Sequence, residues 1–537
     1  MEKRLIIAIT LSIAAMFVFQ TLQPKPQAVS PVGAPMVGGA DRGLPSAIEP
    51  IRQDAAVPRQ AELKEMETVI DTEKYRLKFS NIGGSLKDVY LKEYKDDASE
   101  NPLTLVLDAV GDRAIFAVES DLATVPLSKA IFDLQKHEKD KLVYAYAIPG
   151  KATVIKEYIF HKTNDYIELR LSIQNVGSSV IYKDYSILGA SSIQSSSTAM
   201  ERRFLEIDSM IDGKLVRNSK VKGGDSFIRG IVAWTGVKDR YFCAVLKPPE
   251  NESEGIVLRQ IGKTILASGV RSKRTPIYQN TATTDTYVLY IGPNDTARLA
   301  ALGLGLEEII NYGIFDVISK FLLKILRVFH GITHNWGAAI IMLTVIINMA
   351  LFPLTRKSFM SMRKIQEVQP HIEKLRTIHK DNPQKLNKEL AELYRQYKVN
   401  PFGGCLPLFL QMPIFIALYQ GLMRSIELKG ANFLWIKDLS RPDSVPIPFD
   451  LPMLGNEIHL LPIFMVVAMF FQQKISAKST PISSPEQQQQ QKFMLIFFPI
   501  FFGFLFYKFP SGLVLYWLTN TVLMVVEHSA MRKSPAH

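Results

Sequence analysis

The chain has 537 residues, 47% of them hydrophobic, and 63 Lys and Arg against 51 Asp and Glu leave a net charge of +12. That length suits more than one folding unit, and the basic excess suits an anionic lipid surface, nucleic acid or a ribosome. The two cysteines, Cys243 and Cys405, stand in regions of opposite character with no CxxC or Cys/His spacing, which excludes a disulfide framework and a structural zinc site.

The first apolar stretch runs from Leu5 to Phe19 behind a basic start. It is short for a span, so a cleaved signal is one reading. TLQPKP follows with no small-x-small site, however, and 1–22 reads as an uncleaved signal anchor with its N-terminus in the cytoplasm. Residues 23–60, rich in Pro, Ala, Gly and Val without periodicity, read as a flexible linker. Strand signals fill 61–305. Tyr75, Leu77 and Phe79 share a face before the turn Asn81-Ile82-Gly83-Gly84, and Ile167, Leu169, Leu171 and Ile173 alternate with Glu168, Arg170 and Ser172. The pattern predicts a large antiparallel β-sandwich outside the cytoplasm. Its histidines, His137 and His161, sit in no recognisable constellation, which favours a scaffold or docking domain over an anchored sugar-modifying enzyme.

From Leu306 the period becomes helical. Asp316, Lys320, Lys324 and Arg327 share one face, and Phe315, Ile318, Leu322, Ile325 and Phe329 crowd the other. Such a helix, over 306–332, lies in a membrane interface rather than across it. Residues 333–530 carry candidate spans at Trp336–Leu354, Leu406–Met423, Leu460–Gln473, Phe493–Tyr507 and Leu513–Glu527. With the anchor these make six. The segment 355–400 has eleven Lys and Arg against five acids, which puts it in the cytoplasm with the short tail 531–537. Within it Met362, Ile365, Val368, Ile372, Leu375 and Ile378 recur every three or four residues. Asn382-Pro383 then caps a second helix striped by Leu386, Leu390, Leu393 and Tyr397. This predicts a helical hairpin kinked at Pro370. Its flanks carry Arg363, Lys364, Lys374, Arg376, Lys385 and Lys388, placed for partner contact, with a solvated structural loop as the alternative. The run Gln487–Gln491 reads as a solvated linker.

Polar side chains inside the spans are amides, hydroxyls and aromatic rims rather than charged relays. Thr344 and Asn348 stand one turn apart, Gln411 and Gln420 lie in the third span, and Tyr516, Trp517, Thr519 and Asn520 in the last. Singly each could be glue between helices; together they suggest a mildly hydrophilic concavity. A solute transporter or channel would call for intramembrane carboxylates or internal repeats, and the sequence shows neither.

In order and spacing, NWGAAIIMLTVIINMALFPLT, the basic hairpin, VNPFGGCLPLFLQMPIFIALY and FPSGLVLYWLTN resemble the YidC/Oxa1/Alb3 family of membrane protein insertases, in its Gram-negative form with a large periplasmic domain. The resemblance implies a polytopic α-helical core in the bacterial inner membrane. Five of its spans would enclose a groove open to cytoplasm and lipid, and Thr344, Asn348, Gln411, Gln420, Tyr516, Trp517, Thr519 and Asn520 would line it. Gly403 and Gly404 would let the hairpin turn into the third span, and Pro407 and Pro413 would bend it. Nascent membrane proteins are the implied substrates, with no cofactor, metal or covalent chemistry. Implied partners are the bilayer and the Sec translocon, with the ribosome and signal recognition particle machinery as further candidates and no direct nucleic-acid function. Many members carry a base where this chain has Asn348, which implies a weaker preference here for acidic tails. Arg356 and Lys357 lie near the cytoplasmic end of that span as other bases.

Overall fold

The computed structural model describes residues 65–95, 101–106, 109, 111–161, 165–191, 193, 204–221, 225–261, 265–379, 382–397, 399, 406–451, 455–478 and 485–533. The expected anchor and linker, Cys405 and the Gly403-Gly404 turn lie outside them. The chain divides into two compact units between Ile310 and Asn311.

Antiparallel pairing builds the first unit. One sheet has nine strands in the spatial order Lys214–Asn218, Glu206–Ile211, Val232–Lys238, Phe242–Lys247, Ala282–Pro293, Tyr166–Asn175, Ala152–Phe160, Lys141–Ile148 and Asp133–His137. The alternation read along Tyr166–Asn175 is realised: Ile167, Leu169, Leu171 and Ile173 are buried while Arg170 is exposed. A five-stranded sheet (Asp225–Arg229, Ser253–Ile261, Ile265–Ser272, Tyr185–Ser191, Val118–Ser120) packs against one part of it. At Gly189 a Cβ would stand 2.2 Å from that of Leu246 on the facing sheet, so only glycine admits the approach. A four-stranded sheet over Glu67–Val106 is joined to the nine-stranded one by the Tyr158 hydroxyl donating to Gly84 O (2.6 Å) and that of Tyr144 donating to Thr68 Oγ1 (3.0 Å).

Lys156, fully buried in this interior, donates to Gly83 O (2.7 Å) and Phe116 O (2.6 Å), both left-handed residues (φ 68 and 66). It therefore ties two tight turns to the sheet. Burial without a carboxylate partner pushes its ammonium down to about 7.

The predicted interfacial helix is divided. After the short helix α1 (Thr296–Ala301), Gly303 and Gly305 adopt positive φ, and Leu306–Ile309 forms one 3₁₀ turn within the first unit. There Lys238 Nζ donates to Ile309 O. The helix proper, α2 (Asp316–Thr333), belongs to the second unit. It has three faces rather than two, because it also packs on the bundle. Ser319, Leu322, Leu323 and Leu326 are buried, with Ser319 Oγ donating to Ala417 O at 2.8 Å. Val317, Phe321, Val328 and Ile332 form an exposed apolar row. Of the basic face, Lys320 pairs with Asp316 (2.8 Å) and Arg327 with Glu427 (2.7 Å).

Helix α3 (Trp336–Ile378) is 43 residues long and contains both Pro353 and Pro370. The expected boundary at Leu354 therefore falls inside one helix, which serves as span and as first arm of the hairpin. Each proline removes one backbone donor, and the Leu, Met, Gln, Lys and Arg around them favour helix enough to carry the run past it. Asn382 Oδ1 caps α4 (Pro383–Gln396) by accepting from Lys385 N at 3.0 Å. The hairpin seam joins Val368, Ile372, Leu393 and Val399. Ile378, beside the hairpin turn, and Tyr397, past the far end of α4 near His371, are expected in the seam but are exposed.

The remaining helices are α5 (Leu406–Arg424), α6 (Leu460–Lys478), α7 (Pro485–Phe506) and α8 (Ser511–Lys533). Gln487–Gln491 is part of α7 and not a linker, as the helix propensity of Glu, Gln and Lys behind Pro485 allows; Gln491 Nε2 donates across to Ala477 O at 3.1 Å. Among the described residues, two helices, Trp336–Ile378 and the stretch Leu460–Ala477, are long and apolar enough to cross a membrane by length and composition.

Candidate functional site

One end of the helical bundle is packed solid. Ile340, Leu343 and Thr344 on α3, Leu418 and Leu422 on α5, and Leu513 and Val514 on α8 are all within 2% of full burial. The segment after α5 folds over this end: Ser511 N donates to Arg441 O (2.7 Å) and Gly512 N to Leu439 O (2.9 Å). Phe433 fills the place of a side chain at Gly337, where a Cβ would lie 2.2 Å from its ring.

Beyond Asn348 the helices separate around a cavity of about 480 Å³. Its walls come from α3, α5, α6 and α8. The lining described does not include α7, which packs on α6, with Gly503 against Val466, and leaves Phe493, Ile496, Ile500 and Phe504 exposed. Among the described residues the lining thus comes from four helices.

Polar links cross the inner end of this cavity. Asn348 Nδ2 donates to Thr344 O (2.8 Å) on its own helix and to Asn520 Oδ1 (3.0 Å) on α8. Gln411 Nε2 on α5 donates to the Tyr516 hydroxyl on α8 at 2.7 Å. Gln472 Nε2 on α6 reaches Met524 Sδ at 3.4 Å, and Asn520 Nδ2 approaches the same sulfur at 3.7 Å. Each amide therefore ties two helices together while presenting its other atoms to the cavity. Trp517, set edge-on to Phe415 at 4.6 Å, forms an aromatic wall.

Of the residues expected to line a concavity, Asn348, Gln411, Tyr516, Trp517 and Asn520 come together there. Thr344, Gln420 and Thr519 do not. Thr344 is fully buried and its hydroxyl donates to Ile340 O at 2.7 Å, and that of Thr519 donates to Leu515 O at 2.8 Å. Gln420 stands nine residues after Gln411, two and a half helical turns, and so falls on the opposite side of α5, beside Gly313. Pro413 stands inside α5, where its missing N–H leaves the Phe409 carbonyl without its helical donor. Pro407 is the second residue of that helix.

Sequence reasoning missed Thr355, Ser358, Gln366, Gln472 and Ser476, and it placed Arg363 only on the hairpin flank. Arg363 lines the cavity, whereas Lys364, Lys374, Arg376, Lys385 and Lys388 are exposed outside that lining. Arg356 and Lys357 are not in the lining either. The usable signal was the stripe Asn348, Leu351, Thr355, Ser358, Met362 and Gln366, which carries the face of Thr344 past the expected end of the span.

The family model described as the 60Kd inner membrane protein matches residues 328–536, and that of the YidC periplasmic domain matches 67–325. A protein of Geotalea daltonii named membrane protein insertase YidC is 32% identical over 552 residues, covering 99% of both chains. One of Geobacter sulfurreducens with the same name is 34% identical over 485 residues, or 86% of each. A crystal structure of an active YidC insertase aligns with 86% of this chain and 92% of its own at 20% identity and a TM-score of 0.36, too loose a likeness to add to the sequence match.

Proposed function

The chain belongs to the YidC family of membrane protein insertases, and we propose that the cavity among α3, α5, α6 and α8 is where it receives the hydrophilic stretch of an incoming membrane protein. The observation that carries this reading is the bonded polar floor of Asn348, Asn520, Gln411 and Tyr516 inside a bundle whose outer faces are apolar. A charged side chain at mid-membrane costs about 2.5–3.5 kcal/mol on insertion scales. A polar concavity lowers that cost for the passing stretch while its neighbouring apolar segment enters lipid, with about 25 cal/mol gained per Å² buried. No covalent step is needed.

In this reading the protein sits in the inner membrane, and nascent membrane proteins and the bilayer are its partners. The β unit lies in the periplasm and both termini in the cytoplasm. The anchor and five further segments cross the bilayer, α2 rests at its surface, and the hairpin meets cytoplasmic partners. Use alone or beside the Sec translocon, and contact with the ribosome or signal recognition particle machinery, belong to the same reading and follow from the resemblance and the basic hairpin.

The test is complementation of a bacterium depleted of its own insertase, scored by protease protection of a small membrane protein. The parent chain restores protection. Gln411→Leu impairs substrates with charged tails more than wholly apolar ones; equal loss on both would sink the assignment of Gln411 to the floor.

A further inference from the structure

Asn348 has no donor to offer an acidic tail. Both hydrogens of its amide are engaged, by Thr344 O and Asn520 Oδ1, and only an acceptor oxygen remains. The cation of the described cavity lining is instead Arg363, fifteen residues further along the same face of α3, or about 22 Å at the helical rise. It is exposed, and among the described residues no carboxylate pairs with it. The carboxylate of the lining is Glu527 on α8, likewise without an ion pair among the described residues. Beside it, His528 packs its ring on Phe359 (centroids 5.8 Å).

We propose that the outer end of the cavity is a bipolar mouth: Arg363 on the α3 wall draws Asp and Glu side chains of an entering segment, and Glu527 on the α8 wall draws Lys and Arg and turns acids away. The pair decides which wall a charged segment follows. Because Arg363 is exposed, Glu527 is half-buried and neither belongs to the polar floor, they act on capture, where steering changes rates and is screened by salt. This rests on the insertase reading and adds to it which substrates enter fastest and along which helix.

The test uses the full chain in lipid vesicles with three substrates identical except for an acidic, a neutral or a basic tail. Initial insertion rates are expressed relative to the neutral tail for each variant. Arg363→Gln lowers the acidic-to-neutral ratio about two- to fivefold, the range for one exposed charge pair, and Arg363→Lys restores it. Glu527→Gln raises that ratio and lowers the basic-to-neutral one. With the parent chain, the effect of tail charge shrinks as salt is raised to about 0.5 M, where the screening length is well below its value of about 8 Å at physiological ionic strength. Ratios unmoved by both substitutions, or indifferent to salt in the unmutated chain, overturn the bipolar mouth. A parent chain that inserts none of the three overturns the insertase reading instead. If a variant fails to accumulate, the salt series on the parent still decides.

Discussion

Asn348 and Asn520 share a bond whose two ends cannot be removed independently. Asn348→Leu leaves the half-buried Asn520 Oδ1 without its protein donor at the inner end of the cavity, and the loss of one such hydrogen bond costs about 0.5–1.5 kcal/mol. The melting temperature of the purified chain falls accordingly. Asn348→Leu with Asn520→Leu recovers most of that loss, and a double variant no better than the sum of the single ones would refute the link. Lys156 gives a second expectation at this scale. Its folded pKa of about 7 lies below the ordinary value of 10.5, so between those limits the unfolded chain holds the extra proton. Stability therefore rises with pH through this window, by up to about 1.4 kcal/mol per pH unit, and falls as pH drops toward 7. Lys156→Met flattens that slope in denaturation at pH 7, 8 and 9, and parallel curves for the two proteins would contradict it. The chemical character of Asn348, Gln411 and Tyr516 was readable from polar residues in apolar runs. Whether a given hydroxyl faced the cavity was not, because Thr344 and Thr519 satisfy themselves on their own helices and only coordinates reveal that.

Among the elements, those whose neighbours repeat a simple period were the readable ones. Ile167 to Ile173 alternate and are buried as expected, and Asn382-Pro383 caps α4. Replacing that cap, Asn382→Ala, costs about 1 kcal/mol, which speeds amide exchange in the first turn of α4 about fivefold. Exchange in α3 near Asn348 stays at its parent rate; a change spread evenly over both helices would show that the cap is not local. Elements that serve two neighbours at once escaped the pattern. A single helix wheel sorts α2 into apolar and basic faces, and it cannot divide the apolar residues into a row facing the bundle, Leu322, Leu323 and Leu326, and a row facing outward, Val317, Phe321, Val328 and Ile332. The end of the apolar run at Leu354 likewise suggests the end of an element, whereas helix formers carry α3 on through Pro353 and Pro370.

At the scale of the whole molecule, two units with separate interiors unfold separately. Calorimetry of the full chain is expected to show two transitions, of which only the one belonging to the β unit moves between pH 7 and pH 9 or with Lys156→Met. One transition moving as a whole would mean that the units melt together. The division itself was visible in the change from strand to helix period near Leu306, but Lys238 holds the turn at Ile309 to the sheet and so shifts the boundary a few residues later. The packed end of the bundle, where Phe433 sits on Gly337 and Leu439 and Arg441 close over Ser511 and Gly512, has an electrical meaning. A membrane potential is worth about 2.3 kcal/mol per elementary charge per 100 mV, and any continuous water file across the bilayer would dissipate it. A recess that ends in hydrocarbon-like packing can hold water and charge at one face without conducting, so an idle molecule needs no gate to keep the cell polarised.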